Sequence, residues 1–291
     1  MNTKQDNNSI DNNSTNSNSV NNGSKKSFFN TQGERLDFLV TELSKESSYT
    51  KKLTLPEDMQ SKKDLLRYFM NIRLPMQDID NKILKVQDEY LQEEIKNNGI
   101  VKLGTLAPVN RSTENNIYLW LGDITRLEVV AIVNAANSKM LGCFIPGHKC
   151  IDNAIHTFAG MQLRLECNKI MKKQGFDEPT GSAKITSGYN LPCKYILHTV
   201  GPIIHSELTE NDCNLLENCY TSCLELATRN NLESIAFCCI STGEFHFPND
   251  IAAKIAVDTV KKFQKEKNRN LKVIFNVFKD LDYKIYENLL K

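Results

Sequence analysis

The chain has 291 residues, about two domains' worth at the usual ~100–200 residues per domain. Its 40% hydrophobic and 24% charged residues are the proportions of an ordinary globular protein, and 36 Lys and Arg against 35 Asp and Glu leave a formal net charge of +1, which argues against a strongly basic nucleic-acid binder. No apolar run reaches the ~18 residues of a membrane helix, the longest being 129–133 and 235–240, so neither nucleic acid nor membrane is expected as a partner.

Nine cysteines in a chain of this length, an odd number with no amino-terminal apolar segment, do not read as a secreted disulfide scaffold. Reduced thiols and a cytoplasmic location are expected. An import presequence would be rich in Arg, and the first Arg is Arg35.

Residues 1–27 form an Asn/Ser-rich tail whose only early apolar residues after the initiator are Ile10 and Val20. Such a segment cannot bury enough surface to offset its ordering entropy, and disorder is expected. Residues 28–100 read as a helical extension. Leu36, Phe38, Leu39 and Leu43, then Leu65, Leu66, Phe69 and Met70, then Ile83, Val86, Tyr90, Leu91 and Ile95 recur at helical spacing, while Pro56, Pro75 and Gly99 divide the segment into about three helices.

From 101 to 291 the pattern alternates. Strands are expected at 117–121, 129–134, 183–187, 195–199, 234–240 and 271–278, and helices at 152–173, 212–230, 248–267 and 280–290. Alternation of this kind implies an α/β sandwich, with a mostly parallel sheet covered by helices on both faces and ligands at the carboxyl ends of its strands.

The strand ends carry the candidate chemistry. Cys143, His148 and Cys150 lie within one Gly/Pro-rich loop. Two thiolates and an imidazole suit a tetrahedral zinc ion, and three ligands would leave the fourth position open, as in catalytic zinc. On spacing alone, two buried structural cysteines near a surface histidine fit equally well. Ser241-Thr-Gly-Glu-Phe245 follows a strand and precedes a helix, so its backbone N–H groups could cradle a diphosphate or simply close a turn. Asp123, at the end of the first long strand, could accept from the amino group of a bound base or begin a helical turn. Asn134-Ala-Ala-Asn137 ends the next strand, where side-chain amides can bond sugar hydroxyls or only close a turn. Asp152, beside the cysteine loop, either caps a helix or works on a proton or water. His156, His198, His205 and His246 have no carboxylate or thiolate partner in sequence and read as satisfied structural residues, and the other cysteines read mostly as small core hydrophobes.

Together, Gly122-Asp-Ile-Thr125, Asn134-Ala-Ala-Asn137, Ile151-Asp-Asn-Ala-Ile-His156, Thr180-Gly-Ser-Ala-Lys-Ile-Thr-Ser-Gly-Tyr189, Ile196-Leu-His-Thr-Val-Gly-Pro202 and Ile240-Ser-Thr-Gly243 through Phe247-Pro248 resemble the macrodomain family. The run from Leu141 to Cys150, standing where ordinary hydrolytic members carry glycines, and the helical extension resemble its zinc-containing branch.

This resemblance implies a three-layer α/β/α macrodomain around a mixed, mostly parallel sheet, preceded by a small helical segment. It implies one Zn²⁺ per chain on Cys143, His148 and Cys150. Asp123 and Ile124 would recognise adenine, with Phe278 near it. Ile151, Ser241, Thr242, Gly243, Glu244 and Phe245 would hold the diphosphate. Asn137 would bond the distal ribose and Asp152 would act there, so these two form the catalytic pair. Glu244 departs from the family pattern, because an acid beside a diphosphate is unfavourable unless it points away.

The implied activity is hydrolytic removal of mono-ADP-ribose from Asp or Glu side chains of an ADP-ribosylated protein, with ADP-ribose as product. A sirtuin-type ADP-ribosyltransferase and a lipoyl carrier protein are the implied partners. The alternatives are a non-catalytic ADP-ribose reader, an O-acetyl-ADP-ribose deacetylase, and a structural zinc closed by a fourth ligand such as Cys167, Cys193 or His156.

Overall fold

The structure, a computed structural model, describes residues 27–46, 50–109 and 116–291. Almost all of the tail assigned to disorder lies outside the described residues.

Three helices come first: α1 (Gln32–Ser44), α2 (Met59–Ile72) and α3 (Asn81–Asn98). Each starts where a side chain satisfies free backbone donors. Thr31 and Glu34 form a capping box on α1, while Asp58 and Asp80 cap α2 and α3. Their inward residues, among them Leu36, Leu39, Leu66, Phe69, Val86 and Tyr90, make a small core of their own that also takes in Met161. Ile95 near the end of α3 joins the main core instead, so the helical unit is fastened to the α/β part of the chain.

The remaining elements, in chain order, are β1 (Val101–Lys102), β2 (Ile117–Leu121), β3 (Leu127–Glu128), β4 (Ala131–Ala136), α4 (Ile151–Ala159), α5 (Met161–Gln174), β5 (Ala183–Ser187), β6 (Tyr195–Val200), α6 (Glu210–Arg229), β7 (Ser234–Phe237), α7 (Asn249–Glu266), β8 (Lys272–Val277) and α8 (Asp280–Leu290). Six strands form one sheet in the order β2-β8-β7-β4-β6-β5. All neighbours are parallel except β5 against β6. The central strands are buried along nearly their whole length, with Ala131, Ile132 and Val133 on β4 and Val273 and Ile274 on β8 fully covered, which is why they read as continuous apolar runs. The mixed, mostly parallel sheet flanked by helices is the expected class.

Two expectations need correction. The helix expected over 152–173 is two helices, because Gly160 has φ +100° and a Cβ there would lie 2.6 Å from Gln87 Nε2; the glycine breaks the helix and lets α3 pack against the break. The strand expected over 234–240 leaves the ladder after Phe237, as the chain starts to turn towards Ser241. Parallel β2, β8, β7 and β4 therefore send their following segments to one end of the sheet, where the motifs lie.

Candidate functional site

At that end a cleft of about 1010 Å³ opens, and all fourteen residues singled out by sequence line it. Asp123 and Ile124 enter from the end of β2, Phe278 from the end of β8, Ser241 through Phe245 from the turn after β7, and Asn137 from the end of β4. The cysteine loop and the start of α4 close the side opposite the Ser241 turn.

Asp123 Oδ1 accepts from the backbone N–H of Thr125 at 2.9 Å and from its hydroxyl at 2.7 Å. It caps a short helical turn, and both weighed roles are open to one carboxylate, since these bonds occupy only one oxygen. Phe278 stands at the cleft wall 75% exposed, a flat apolar surface on which an aromatic ligand can stack. The Ser241 turn is bent sharply, with Ser241 at φ +64° and His246 at φ +58°, and Ser241 Oγ is buried without a hydrogen-bond partner among the described residues. A buried hydroxyl left unpaired at a cleft wall suits a polar ligand.

Asp152 is in the first turn of α4, whose N-cap is Cys150, not Asp152; Cys150 Sγ accepts from Asn153 N at 3.4 Å. Asp152 Oδ1 accepts from Asn134 Nδ2 at 2.8 Å and Oδ2 from Asn137 Nδ2 at 3.3 Å. Burial raises its carboxyl to about pKa 6, opposed by the Asn134 hydrogen bond and the Arg164 charge. The other polar bonds of Asn137 are internal: its amide also donates to Gly142 O at 3.1 Å and its carbonyl accepts from Lys139 N at 3.0 Å. Asn137 thus orients Asp152 in this structure.

Behind Asp152, His198 lies between Asn134 Nδ2 at 3.1 Å and Thr186 Oγ1 at 2.8 Å, and burial lowers it to about 3. The neutral ring can accept from Asn134 through Nδ1 and donate to Thr186 through Nε2. His156 departs from the expected satisfied histidine. Its Nε2 is 3.6 Å from Asp152 Oδ1, and neither ring nitrogen has a hydrogen-bond partner among the described residues. Gly142, at φ +81°, packs so closely that a Cβ would lie 2.8 Å from the His156 ring.

The ligand atoms of Cys143, His148 and Cys150 lie within 4.8 Å of one another, with Cys143 Sγ 3.4 Å from His148 Nδ1. Two sulfurs and a nitrogen converging in this way fit a zinc ion. Burial pushes the Cys150 thiol up to about 12, and nearby Cys143 and Asp152 push in the same direction; a cation is what would offset a second negative sulfur there. Among the described residues no fourth Cys, His, Asp or Glu joins this group, and two of the side chains considered for a closed site, Cys167 and His156, instead gather with His198 in a separate buried cluster.

The brace on the cysteine loop comes from residues to which the sequence assigned no role in the site. Arg67 of α2 donates through Nη2 to His148 O at 3.2 Å and to Asn153 Oδ1 at 2.8 Å. Asn71 Oδ1 accepts from Gly147 N and from Asn153 Nδ2. Arg164 of α5 donates to Leu141 O and to the Met70, Asn71 and Arg73 carbonyls ending α2, with its guanidinium 4.4 Å over the Phe144 ring. The helical extension therefore braces the cysteine loop, and its Arg67 lines the cleft.

The family model for the Macro domain matches residues 133–256. A protein of Treponema medium named protein-ADP-ribose hydrolase is 53% identical over 89% of this chain and 99% of its own length. The chain belongs to the macrodomain family. A Staphylococcus aureus protein of the same name is 46% identical to this macrodomain over 87% of the chain and 94% of its own. Among solved structures, the Trypanosoma brucei macrodomain in complex with ADP-ribose superposes on it with a TM-score of 0.61 at 32% identity, covering 76% of this chain and 95% of that one. No described helix of this macrodomain is long and apolar enough to cross a membrane.

Proposed function

We propose that this macrodomain is a protein-ADP-ribose hydrolase that removes mono-ADP-ribose from modified proteins, with Asp and Glu side chains as acceptors and zinc held by Cys143, His148 and Cys150. Relatives so named match over almost their whole length. The observation carrying the reading is one cleft lined together by Asp152, held by two amide donors, by the three metal-type ligands and by the Ser241 turn.

In this reading Asp123 and Phe278 take the adenine end. The Ser241 turn and the free N–H groups at the start of α4 take the diphosphate, favoured there by the helix dipole. The distal ribose then falls between the cysteine loop and Asp152. Asn134 and Asn137 fix the carboxylate, and the Asp152 oxygen accepts a proton from the attacking water as the bond to the acceptor breaks. Zinc, when bound, supplies Lewis acidity beside that carboxylate. An ADP-ribosylated protein is the substrate and ADP-ribose the product. A sirtuin-type ADP-ribosyltransferase acting on a lipoyl carrier protein would generate such a substrate in the cytoplasm.

The test is release of ADP-ribose from an Asp/Glu-modified protein, paired with metal analysis. About one zinc per chain is expected. Asp152→Asn should slow release ~10²–10⁴-fold while still binding ADP-ribose, and chelation should abolish release. Binding without release by the wild type would make the protein a reader. A rate that survives chelation would remove zinc from the reaction.

A further inference from the structure

Glu244 is the residue of the Ser241 turn whose chemistry conflicts with that turn, because a carboxylate repels a diphosphate. The structure turns it across the cleft to the cysteine loop. Glu244 Oε1 lies 3.4 Å from His148 Nε2, with the Glu244 side chain 67% exposed. The opposite nitrogen of the same ring, Nδ1, faces Cys143 Sγ at the same 3.4 Å. Imidazole chemistry connects the two contacts. Neutral histidine carries one ring proton, and the nitrogen that coordinates a metal must be bare, so coordination through Nδ1 leaves the proton on Nε2, facing Glu244. A carboxylate at that position selects the tautomer, orients the ring and strengthens the coordinating nitrogen.

We propose that Glu244 is a positioning residue for the metal ligand His148, and that through this pair the diphosphate turn and the metal loop act as one unit, making zinc and ADP-ribose binding mutually reinforcing. The inference rests on the zinc reading of the cysteine loop. It explains why an acid is tolerated in this turn: anchored on His148, it is held aside from the diphosphate. Zinc, by fixing the His148 ring, would hold the carboxylate in that place more firmly. Reciprocity is then required by thermodynamics, because whatever zinc adds to ADP-ribose affinity, ADP-ribose must add to zinc affinity.

The experiment uses the full chain as wild type, Glu244→Gln and Glu244→Ala. Zinc affinity is measured by competition with a chelator of known affinity, and ADP-ribose affinity by calorimetry on zinc-loaded and metal-free protein. Glu244→Ala should weaken zinc binding ~10–100-fold, the usual effect of losing an outer-shell partner. Glu244→Gln, which still accepts the Nε2 proton without the charge, should fall between. Loading wild type with zinc should tighten ADP-ribose binding, and that gain should shrink in Glu244→Ala. A side chain that only packs the turn would instead lower metal-free stability and leave the zinc constants unchanged. Wild-type protein that binds no zinc overturns the zinc reading and this inference together. Wild type that loads zinc, with Glu244→Ala loading as tightly or showing an equal zinc effect on ADP-ribose affinity, overturns this inference alone.

Discussion

Asp123 and Asp152 are both carboxylates at the mouth of one sheet, and their surroundings give them different work. Asp123 is half-exposed and spends one oxygen on the Thr125 turn; Asp152 is buried with amide donors on both oxygens. In the proposed reading, loss of Asp123 removes an interaction common to the ground and transition states. Asp123→Ala should therefore weaken ADP-ribose binding by ~10-fold or more, the size of one hydrogen bond to a charged group. At saturating substrate its rate should be nearly that of the wild type. Calorimetry with steady-state kinetics checks this, and an unchanged affinity would remove Asp123 from the adenine end.

Helix α2 contributes no residue from the macrodomain motifs, yet it holds the cysteine loop in place. Arg67 and Asn71 grip backbone atoms of His148 and Gly147, and Arg164 ties Leu141 to the last turn of α2. Arg67→Ala should weaken zinc binding about 10-fold, as expected for a partner that orients ligands without touching the ion, and chelator competition reads this directly. That brace was not legible in the sequence, because Arg67 and His148 belong to elements far apart along the chain and a lone Arg on a helix reads as a solvated face. The central strands were legible, since burial on both faces writes an unbroken apolar run. The glycine break between α4 and α5 was not: Ile155, Phe158 and Leu163 keep helical spacing across Gly160, and only the contact with Gln87 shows why the helix stops. The strand-end motifs converged because a parallel sheet brings its carboxyl ends together. The partner of Glu244 stayed hidden, since the turn and the loop, although they follow the neighbouring strands β7 and β4, lie far apart along the chain.

The whole molecule carries its buried histidines at a cost that depends on pH. His198, fully buried between Asn134 and Thr186, is lowered to about 3, and His156 is also lowered, by burial and by the His198 and Arg164 charges. The unfolded chain binds these protons near pH ~6.5. Below that the unfolded state holds more protons and stability falls, by up to ~1.4 kcal/mol per pH unit for each group. The raised Asp152 carboxyl, at about 6, works in the opposite direction, because the folded state takes up its proton first. The net expectation is a fold that weakens between pH 6 and 4. His198→Gln should flatten that slope by about one proton's worth, whatever its stability at pH 7. Urea unfolding across the pH series measures this, and an unchanged slope would show that His198 is not the titrating group.

In the six-stranded sheet β2 has one neighbour, β8, paired in parallel from Ile117 with Val273 to Leu121 with Val277. These are its first and last strands along the chain. The edge that carries Asp123 therefore has no ladder partner until residues 272–277 have been synthesised, whereas the cysteine loop, Asp152 and the Ser241 turn are all made before them. A nascent chain arrested before Lys272 lacks both the strand that pairs with β2 and Phe278, so the cleft wall beside Asp123 can close only when the last strand has been made.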